Sequence, residues 1–507
     1  MSRQSHDGHI VALDLGTGSA RAALMDASGQ ITGVVSRPLT TRYPKHGWVE
    51  QSPAEWWTAM SHAIRELISR YPHCVIDAIC GCGHMHAPVL IDNSGQTTRP
   101  TAMLWNDKRA TDQAASLNDR IGSESREAQF ANPATPAWPG VKLAWLAAHD
   151  PAALNGATSL LMPKDYINFR LCGEIAFDWT EAGSSFLMDA TTRQWSPGQA
   201  AMLGVDAGIL APLVAPWTRI GSVQAGVADA TGLPKGLPVF AGAGDYPCAV
   251  AGSGVTACGA ASDITGTSYL LTTIGESPIL DPNVMNVMTV DGKWGAFAVV
   301  DAAGDAIRWA RSMVCDETTS FETLSGMAQD IPPGADGLIF LPYLTGERLG
   351  YGAASRAAFL GLSSRHGPAH VVRAVMEGVA LAMRHASNSI RAKRTLNGPV
   401  IAAAGGRRSD LWMQIKASVF DLPIQPAAEA ESGLVGCAAI ARTGLGHYET
   451  VTEAVAAMTG VAGEIYPDPE MHRVYNDLFP TFEAAKTALR PINQYLSDRG
   501  TQHDRFG

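Results

Sequence analysis

Short apolar runs and helix-spaced apolar stripes alternate along the 507 residues of the chain. Residues 10–14 and 20–25 predict two strands of a hairpin that turns through residues 16–19. Residues 52–55 then match a helix start, and the stripe from Trp56 to Leu67 predicts one buried helix face. Strands and helices mixed in this way favour an α/β architecture.

The second half of the chain repeats the hairpin pattern. Small residues dominate after a predicted strand at residues 238–240, and we place a domain boundary close to residue 250. Residues 263–268 then turn as the first hairpin does and run into an apolar strand. Because 507 residues exceed what one hydrophobic core usually holds, we expect two domains, residues 1–250 and residues 251–507.

Four further elements are predicted in the second half. The pattern indicates a long helix near residues 369–392 and a strand at 400–402 that ends before two glycines. Ser409 is the expected N-cap of the next helix. A helix of small residues near 433–443 closes at Gly444.

Composition and charge describe an ordinary soluble globular protein. Hydrophobic residues make up 46% of the chain and charged residues 17%. A net charge of −10 argues against nucleic acid or an anionic membrane as a partner. No apolar run approaches the length of a membrane span and the first residues are polar, so we expect a cytoplasmic location.

The eight cysteines are scattered along the chain. The only close pair, Cys80 and Cys82, is too tight for a usual zinc knuckle. We therefore expect reduced thiols, without disulfides or a bound metal.

The two hairpin turns carry groups that suit phosphate binding. Asp14 precedes the first turn and is placed to approach Mg²⁺ through water. Two hairpins at matching positions predict that the domains grip one polyphosphate, that of ATP, although each hairpin alone is equally compatible with an ordinary turn. Glycine backbones and hydroxyl donors allow this close approach, and the turn residues are Gly16, Thr17, Gly18 and Ser19 in the first hairpin and Gly266, Thr267 and Ser268 in the second.

Two other nucleotide-binding motifs do not fit. The chain has no GxxxxGK[ST] sequence, which disfavours a P-loop enzyme. Residues 252–257 match a loose GxGxxA pattern, but no clear βαβ unit surrounds them, so a dinucleotide site is not expected.

Asp245 is the best candidate for a catalytic base. It follows an apolar strand and several small residues, which would present its carboxylate at a strand end with little steric cover. Phosphoryl transfer to an alcohol needs such a carboxylate to accept the hydroxyl proton. A helix N-cap before Tyr246 and Pro247 is the equally plausible local alternative.

Four further segments have polar groups or glycines where a ligand could bind. Each has a structural alternative: a core histidine, a helix-capping loop, a surface turn and an ordinary glycine loop. The segments are Met85-His86, Trp105-Asn106-Asp107 with Arg109, Lys164-Asp165-Tyr166, and Gly405-Gly406.

Taken together, these segments resemble the FGGY carbohydrate kinases, within the sugar kinase–actin–chaperone superfamily. The resemblance covers about residues 10–445 and rests on several motifs in the right order. These are Asp14 to Thr17, Gly47 to Gln51, Gly83 to His86, Leu104 to Asp107, Pro163 to Tyr166, Gly242 to Asp245, Leu341 to Leu344 with Gly346 to Arg348, and residues 357–377.

The resemblance implies two RNase H-like domains, as in actin-like ATPases, around a deep catalytic cleft. Within the family, the Met-His, Trp-Asn-Asp and Pro-Lys-Asp-Tyr segments resemble most the kinases that phosphorylate xylulose. This implies ATP-dependent phosphorylation of a ketopentose, D-xylulose above all, at its terminal hydroxyl, and a possible homodimer. The implied roles are Asp245 as general base, Asp14 and Asp245 as Mg²⁺ ligands, Met85, His86, Trp105, Asp107, Asp245 and Tyr246 as sugar contacts, the two hairpins as phosphate contacts, and Gly405, Gly406 and Arg407 as adenosine contacts.

Departures from the family pattern bear on the substrate. Gln usually precedes the Met-His pair and Gly follows it, but this chain has His84 and Ala87. Tyr246 replaces the Asn that usually follows the base, and Leu349-Gly350 replace a usual Thr-Pro. Arg407 takes the place of a third glycine. Because an unpaired buried polar group discriminates strongly, these changes leave the sugar open.

The alternatives are kinases for ribulose, another ketopentose, a tetritol or an autoinducer-type linear diketone. Outside this class, an actin-like or chaperone-like ATPase and a sugar-binding pseudokinase are the rivals. The Met-His pair and Asp245 suit a small substrate, which counts against the assembly ATPase.

Overall fold

The computed structural model describes residues 8–121, 129–316, 318–348, 352 and 354–503. Leu349 and Gly350, which depart from the family pattern, lie outside these residues. Within the described part of the chain, no helix is both long and apolar enough to cross a membrane.

The first half is built on a six-stranded sheet. Its order is β5-β6-β4-β1-β2-β3. Strands β1 to β3 are antiparallel neighbours, whereas β1, β4 and β6 run parallel. The strands are β1 (His9–Leu15), β2 (Ser19–Met25), β3 (Ile31–Pro38), β4 (Ile76–Gly83), β5 (Arg219–Ser222) and β6 (Pro238–Gly244).

The second half repeats this plan with a sheet of order β9-β10-β8-β7-β11-β12. Here too an antiparallel hairpin is followed by parallel strands beside its first member. The strands are β7 (Ala261–Thr265), β8 (Tyr269–Gly275), β9 (Met285–Met288), β10 (Trp294–Val300), β11 (Val400–Ala403) and β12 (Ile424–Pro426). The duplication predicted from the two hairpins is confirmed by the topology, and the α/β class with it.

Helices cover both sheets, and among the described residues short strand pairs extend both halves, four in the first half and one in the second. The helices are α1 (Pro53–Arg70), α2 (Thr111–Arg120), α3 (Pro139–His149), α4 (Pro151–Asn155), α5 (Pro163–Cys172), α6 (Trp179–Ala182), α7 (Pro197–Met202), α8 (Ala225–Thr231), α9 (Asp245–Gly252), α10 (Gly304–Val314), α11 (Phe321–Met327), α12 (Pro368–Ala386), α13 (Asn388–Lys393), α14 (Asp410–Phe420), α15 (Ser432–Gly444), α16 (Val451–Met458) and α17 (Pro469–His503). The paired short strands are Glu50–Gln51 with Ala102–Met103, Val89–Ile91 with Ser159–Leu161, Phe177–Asp178 with Leu213–Val214, Met188–Asp189 with Gln194–Trp195, and Ile339–Leu341 with Ala358–Leu360.

Most predicted elements match the structure, but the long helix predicted near residues 369–392 is two helices, α12 and α13, separated at Ser387. Helix α1 starts at Pro53, but the Ser52 side chain makes no capping hydrogen bond, and Glu55 pairs with Arg42 instead. Ser409 does cap α14, since its hydroxyl accepts from the Trp412 N–H at 3.2 Å.

Two helices join the halves and pack against each other. Helix α9 leads from β6 to β7, while α15 follows β12 and packs back onto the first sheet. Glycines allow the contact, because a Cβ added at Gly252 would stand 1.8 Å from the Ser432 carbonyl oxygen. The buried cluster formed there joins residues of β1 and β4 to residues 434–458. Helices α15 and α16 therefore pack with the first half, although they follow the predicted domain boundary at residue 250 in the sequence.

Candidate active site

A cavity of about 450 Å³ opens where the two halves meet. Its walls come from the carboxyl ends of strands in both sheets and from the start of α15. The lining residues are Asp14, Gly16, Arg21, Cys82, Asp245, Tyr246 and Ala249 from the first half, and Ile264, Ala403, Ala404, Gly405, Arg408, Ala430, Glu431, Ser432 and Gly433 from the second.

Strand register brings Asp14 and Asp245 to the same edge of the first sheet. Asp14 on β1 pairs with Cys82 on β4, and Cys82 pairs with Ala243 on β6. Because the three strands are parallel, their carboxyl ends meet there, which is where ligands bind in open α/β sheets. The cavity thus receives two carboxylates that are 231 residues apart in the sequence.

The small residues before Asp245 are needed for close packing. Strand β6 shifts register against β4 between Phe240 and Ala243, and Gly242 has φ of 70°. A Cβ at Gly242 would lie 1.8 Å from the Gly81 carbonyl oxygen. Glycine is therefore required where β6 approaches β4 just before the candidate base.

Asp245 is the first residue of α9, and its carboxylate accepts the Tyr246 N–H at 2.7 Å. The residue at the N-cap position is Gly244, so the alternative prediction that Asp245 is the helix N-cap is wrong. Burial raises the pKa of Asp245 well above its ordinary value, and the charge of Asp14 adds to this effect. A carboxyl group with a raised pKa is suited to accept a proton near neutral pH.

A buried ionic network supports the strand that ends at Asp245. The Gly244 N–H donates to Thr180 Oγ1 at 2.9 Å, and the Thr180 N–H donates to Asp178 Oδ1 at 2.8 Å. Lys164 Nζ lies 2.7 Å from Asp178 Oδ2 and also pairs with Asp165. Lys164 and Asp165 are therefore buried, and the alternative of a surface turn at this segment is wrong.

Asp14 is held by Arg21, a residue that the motif analysis did not select. The guanidinium of Arg21 pairs with Asp14 and with Glu431, which lies just before α15. Burial raises the pKa of Asp14, and Arg21 partly opposes this effect. The sequence signal that could have identified Arg21 is its position, two residues after Ser19 on the second strand of a phosphate-type hairpin.

The first hairpin links the cavity to the expected sugar site. The Gly16 N–H donates to the Ser19 carbonyl at 3.0 Å, which closes the turn. Trp105 Nε1 donates to Thr17 Oγ1 at 3.1 Å. Gly16 lines the cavity, whereas the exposed Gly18 forms the tip of the turn.

The second hairpin has the same closure but lies beyond the cavity wall. The Gly266 N–H donates to the Ser268 carbonyl at 2.9 Å, and Thr267 is exposed at the tip. Ile264, two residues earlier, is the member of this region that lines the cavity. Asp263 pairs with Lys416 at 2.9 Å, and both are buried, so this acid is structural.

The expected adenosine segment is partly on the cavity. Gly405 and Arg408 line it, whereas Gly406 and Arg407 do not. Gly406 packs against Thr265, since a Cβ there would be 2.6 Å from that of Thr265. Arg408 is the cation of this segment that lines the cavity, and an adenosine contact of Arg407 stays a prediction.

Met85 and His86 follow β4 on the first-half side of the site. Met85 fits beneath Gly244, where an added Cβ would lie 2.6 Å from its sulfur. The His86 ring packs edge-on against Trp138 at 4.9 Å between centroids, and its Nδ1 has no hydrogen-bond partner in the described structure. Burial lowers the pKa of His86, so the ring is neutral and keeps an acceptor available for a hydroxyl.

Lys142 holds this region in place, and the sequence analysis did not identify it. Its ammonium donates to the carbonyls of His86 at 2.6 Å, Leu104 at 2.7 Å and Met103 at 3.4 Å. The side chain is fully buried on α3. It thereby joins the Met-His turn to the Trp-Asn-Asp segment.

Trp105 reaches towards the second half. Arg348 lies over its ring at 5.0 Å, and Arg348 is itself bound to Asp301 at 2.6 Å. Together with the bond to Thr17, this contact puts Trp105 between the first hairpin and the opposite domain.

Asp107 has its oxygens engaged by protein donors. Oδ2 accepts from the Val49 N–H at 2.7 Å and from Arg109 at 2.6 Å, while Oδ1 accepts from the Arg109 N–H and Nε. The Arg109 guanidinium also stacks on Trp48 at 3.7 Å. In this arrangement Asp107 shapes the loop that carries Trp105, and a direct sugar contact stays a prediction.

Tyr246 lines the cavity but points its hydroxyl to the second half. The hydroxyl exchanges a hydrogen bond with Thr272 Oγ1 on β8, and its ring lies 5.3 Å from that of Phe297. Burial raises the pKa of Tyr246 above its ordinary value, so the phenol stays protonated. Tyr246 therefore bridges the two halves directly beside Asp245.

The residues of the cavity fit a magnesium nucleotide. Asp14 and Asp245 offer carboxylate oxygens of the kind that Mg²⁺ prefers, and the charge of Asp14 disfavours ionisation of Asp245. Arg21 and Arg408 supply positive charge for phosphate oxygens. These residues would hold the metal and the phosphates at the meeting of the two sheets.

Family models match both halves of the chain. The N-terminal domain of the FGGY family of carbohydrate kinases matches residues 9–252, and its C-terminal domain matches residues 261–445. The chain therefore belongs to the FGGY family of carbohydrate kinases. It is a phosphotransferase with an alcohol group as acceptor, and the family implies ATP as the phosphoryl donor.

Individual relatives agree with this assignment. The xylulose kinase of Bacillus subtilis (strain 168) is 29% identical over 494 residues, covering 96% of this chain and 98% of the relative. The autoinducer-2 kinase of Yersinia pseudotuberculosis is 29% identical over 510 residues, covering 96% and 94%. The crystal structure of xylulose kinase from Rhodospirillum rubrum matches with a TM-score of 0.88 and 30% identity, covering 96% of this chain and 100% of that chain.

Proposed function

We propose that this protein transfers the γ-phosphoryl group of Mg-ATP to the terminal hydroxyl of a ketopentose, D-xylulose above all. The observation that carries the proposal is a single cavity that Asp14, Asp245 and the turn at Gly16 share with the strand ends of the duplicated second domain. Xylulose kinases among the full-length relatives support the choice of sugar.

Asp245 accepts the proton of the attacking hydroxyl. Its position at the start of α9, its raised pKa and its place on the cavity wall suit that role. Arg21 and the N–H groups of the Gly16 hairpin bind phosphate oxygens from the first half. The bound Mg²⁺ would neutralise phosphate charge, with Asp14 and Asp245 as its protein ligands.

The sugar binds beside Met85 and His86, with Trp105 at the edge of the site. The half-buried, neutral ring of His86 contacts a sugar hydroxyl in this proposal, and Met85 fixes the floor below Gly244. Approach of the second half, through Arg348 over Trp105, would exclude water from the transfer.

A second candidate substrate is an autoinducer-type linear diketone. A relative of the same identity carries that activity in its name, and Tyr246 replaces the amide that contacts sugar in xylulose-phosphorylating members. A substrate with fewer hydroxyl groups than a ketopentose would suit a site in which the phenol of Tyr246 replaces that amide.

The test is a coupled assay of ADP release with D-xylulose, ribulose, pentitols, tetritols and a linear dihydroxydiketone. Stimulation by D-xylulose at the highest kcat/KM supports the proposal. Preference for the diketone selects the second candidate. ATPase activity indifferent to every substrate would show an assembly-type ATPase and overturn the kinase assignment.

We further infer a cytoplasmic protein without nucleic-acid or membrane partners, with a homodimer as the expected assembly. The net charge of −10 and eight free cysteines support the first inference. Light scattering on the purified protein tests the second.

A further inference from the structure

Three cysteines far apart in the sequence meet beneath the cavity. Cys82, Cys248 and Cys437 are all buried, and their sulfur atoms lie within 4.8 Å of one another. They come from three different elements, β4, α9 and α15. Such convergence sets this trio apart from a lone buried cysteine that acts as a small hydrophobic residue.

The three cysteines lie close to the two carboxylates of the cavity and to the contact between α9 and α15. Cys248 lies one helical turn after Asp245, and Cys82 is paired in register with Asp14. Cys437 follows Gly436, where an added Cβ would lie 2.3 Å from the Cys248 carbonyl oxygen. The thiols therefore sit where the catalytic strand edge meets the two helices that join the halves.

The trio is reachable from the nucleotide cavity. Cys82 itself lines that cavity, together with Asp14 and Asp245. A small uncharged solute that enters the cavity meets Cys82 first, and rotation about the Cα–Cβ bonds then brings the other two sulfurs within bonding range.

Charge decides which thiophilic ligand fits. Soft ions select thiolate ligands, and a thiol must lose its proton to bind. A divalent ion on three thiolates leaves one net negative charge, and a monovalent ion leaves two, next to the carboxylates of Asp14 and Asp245. Buried uncompensated charge is costly, so a trivalent, three-coordinate centre that leaves no net charge is favoured.

We propose that Cys82, Cys248 and Cys437 form a binding site for trivalent arsenic, taken up as uncharged arsenous acid. In this condensation three As–O bonds break and three As–S bonds form. Each thiol proton leaves with one hydroxide as water, so one As(OH)₃ and three thiols give one tris-thiolate and three waters. Nothing is oxidised or reduced.

Occupation of the site would stop phosphoryl transfer. One atom would tie β4, α9 and α15 together and hold Asp245 and the joining helices in a single arrangement. Binding does not depend on which sugar the enzyme accepts, and it can be measured without any activity.

The first experiment measures binding by native mass spectrometry and by equilibrium dialysis of the folded protein against arsenite. We expect one arsenic per chain, with a mass gain equal to one arsenic minus three hydrogens. Cys437→Ala should weaken binding at least ~100-fold, while Cys258→Ala, which removes an exposed thiol, should bind as the parent protein does. Equal binding by the Cys437 variant, or binding lost with Cys258, would overturn the proposal.

The second experiment follows sugar-dependent ADP release. Cys437 does not line the nucleotide cavity, so Cys437→Ala should keep activity and become resistant to arsenite, whereas Cys258→Ala stays sensitive. Inhibition that persists unchanged in Cys437→Ala would count against the site. Cd²⁺ provides the comparison, because it would leave a net charge on the three thiolates. If the thiolate charge-transfer band of Cd²⁺ forms at a lower concentration than arsenite needs for binding, the preference for an uncharged centre is refuted.

Discussion

At the residue scale, chemistry depends on two carboxylates with different partners. Asp14 is paired with Arg21, while Asp245 accepts a hydrogen bond from the Tyr246 N–H. Burial raises the pKa of both, but Arg21 opposes the shift at Asp14 alone. The difference supports the proposed role of Asp245 as the proton acceptor.

Asp245→Asn should lower kcat by at least ~10²-fold, because the amide cannot accept the hydroxyl proton. ATP affinity, measured by equilibrium binding, should change little. The exposed Asp119 on α2 provides a matched control, and Asp119→Asn should retain activity. Near-normal turnover in Asp245→Asn would contradict its role as the base.

Two substitutions at Tyr246 separate a bridging role from a sugar contact. Tyr246→Phe removes only the bond to Thr272, so it should lower kcat/KM by a similar factor for every ketose tested. Tyr246→Asn restores an amide next to the base and should change the ranking of the ketoses. An unchanged ranking in Tyr246→Asn would remove this residue from the sugar pocket.

At the element scale, Lys142 on α3 fixes two segments that belong to different parts of the first half. Its bonds to three carbonyls join the Met-His turn to the segment of Trp105. His86 has φ of 68°, a left-handed conformation that a non-glycine residue adopts only with support. The ammonium on its carbonyl supplies that support.

Lys142→Met should raise KM for the sugar by about tenfold while leaving basal ATP hydrolysis unchanged, because three carbonyls lose their donor. Steady-state kinetics with D-xylulose and with water as acceptor provide the two readouts. Lys393, an exposed lysine near the end of a helix, provides the control substitution Lys393→Met. An equal effect on both readouts would indicate a general loss of structure instead.

The stability of the protein should also depend on pH through Lys142. Burial lowers its pKa from 10.5 to about 7, Asp107 opposes the shift, and Arg109 adds to it; His84 also lies close by. Between these pH values the unfolded chain binds the extra proton, so the free energy of unfolding rises with pH by up to about 1.4 kcal/mol per unit. Urea midpoints at pH 7 and pH 9 should therefore rise more for the parent than for Lys142→Met. Parallel pH profiles would contradict this.

At the scale of the whole molecule, α9 and α15 connect two domains with the same topology. Their contact depends on Gly252 and Gly436, which face backbone atoms of the opposite helix. The cavity, the base and the cysteine trio all border this contact. Movement of one half relative to the other would therefore change the contact between α9 and α15.

Gly252→Ala should destabilise the protein by about 3 kcal/mol or more, because its Cβ would meet the Ser432 carbonyl oxygen at 1.8 Å. Thermal unfolding measures the loss. Gly226 lies in helix α8 with nothing within 4 Å of an added Cβ, so Gly226→Ala should be neutral or slightly stabilising. Equal melting temperatures for the two variants would show that the helices can separate without cost.

Much of the fold and of the site followed from local patterns. The sequence predicted the two hairpins, the strand before Asp245 and the helix capped by Ser409. Hydrophobic periodicity, helix capping and turn formation each depend on residues that are close together in the sequence. Arg21, Arg408 and Lys142 were missed, since each acts on groups that are distant in the sequence or on backbone atoms without a sequence signal.

The sequence by itself determined the duplicated hairpins, the small residues before Asp245 and the membership of the kinase family, because these depend on neighbours in the chain. Tertiary structure decided which carboxylates share a cavity, since parallel strands β1, β4 and β6 bring their ends together across 231 residues. It also gathered three cysteines that the sequence showed as scattered, because the crossing of α9 and α15 on the first sheet puts them together.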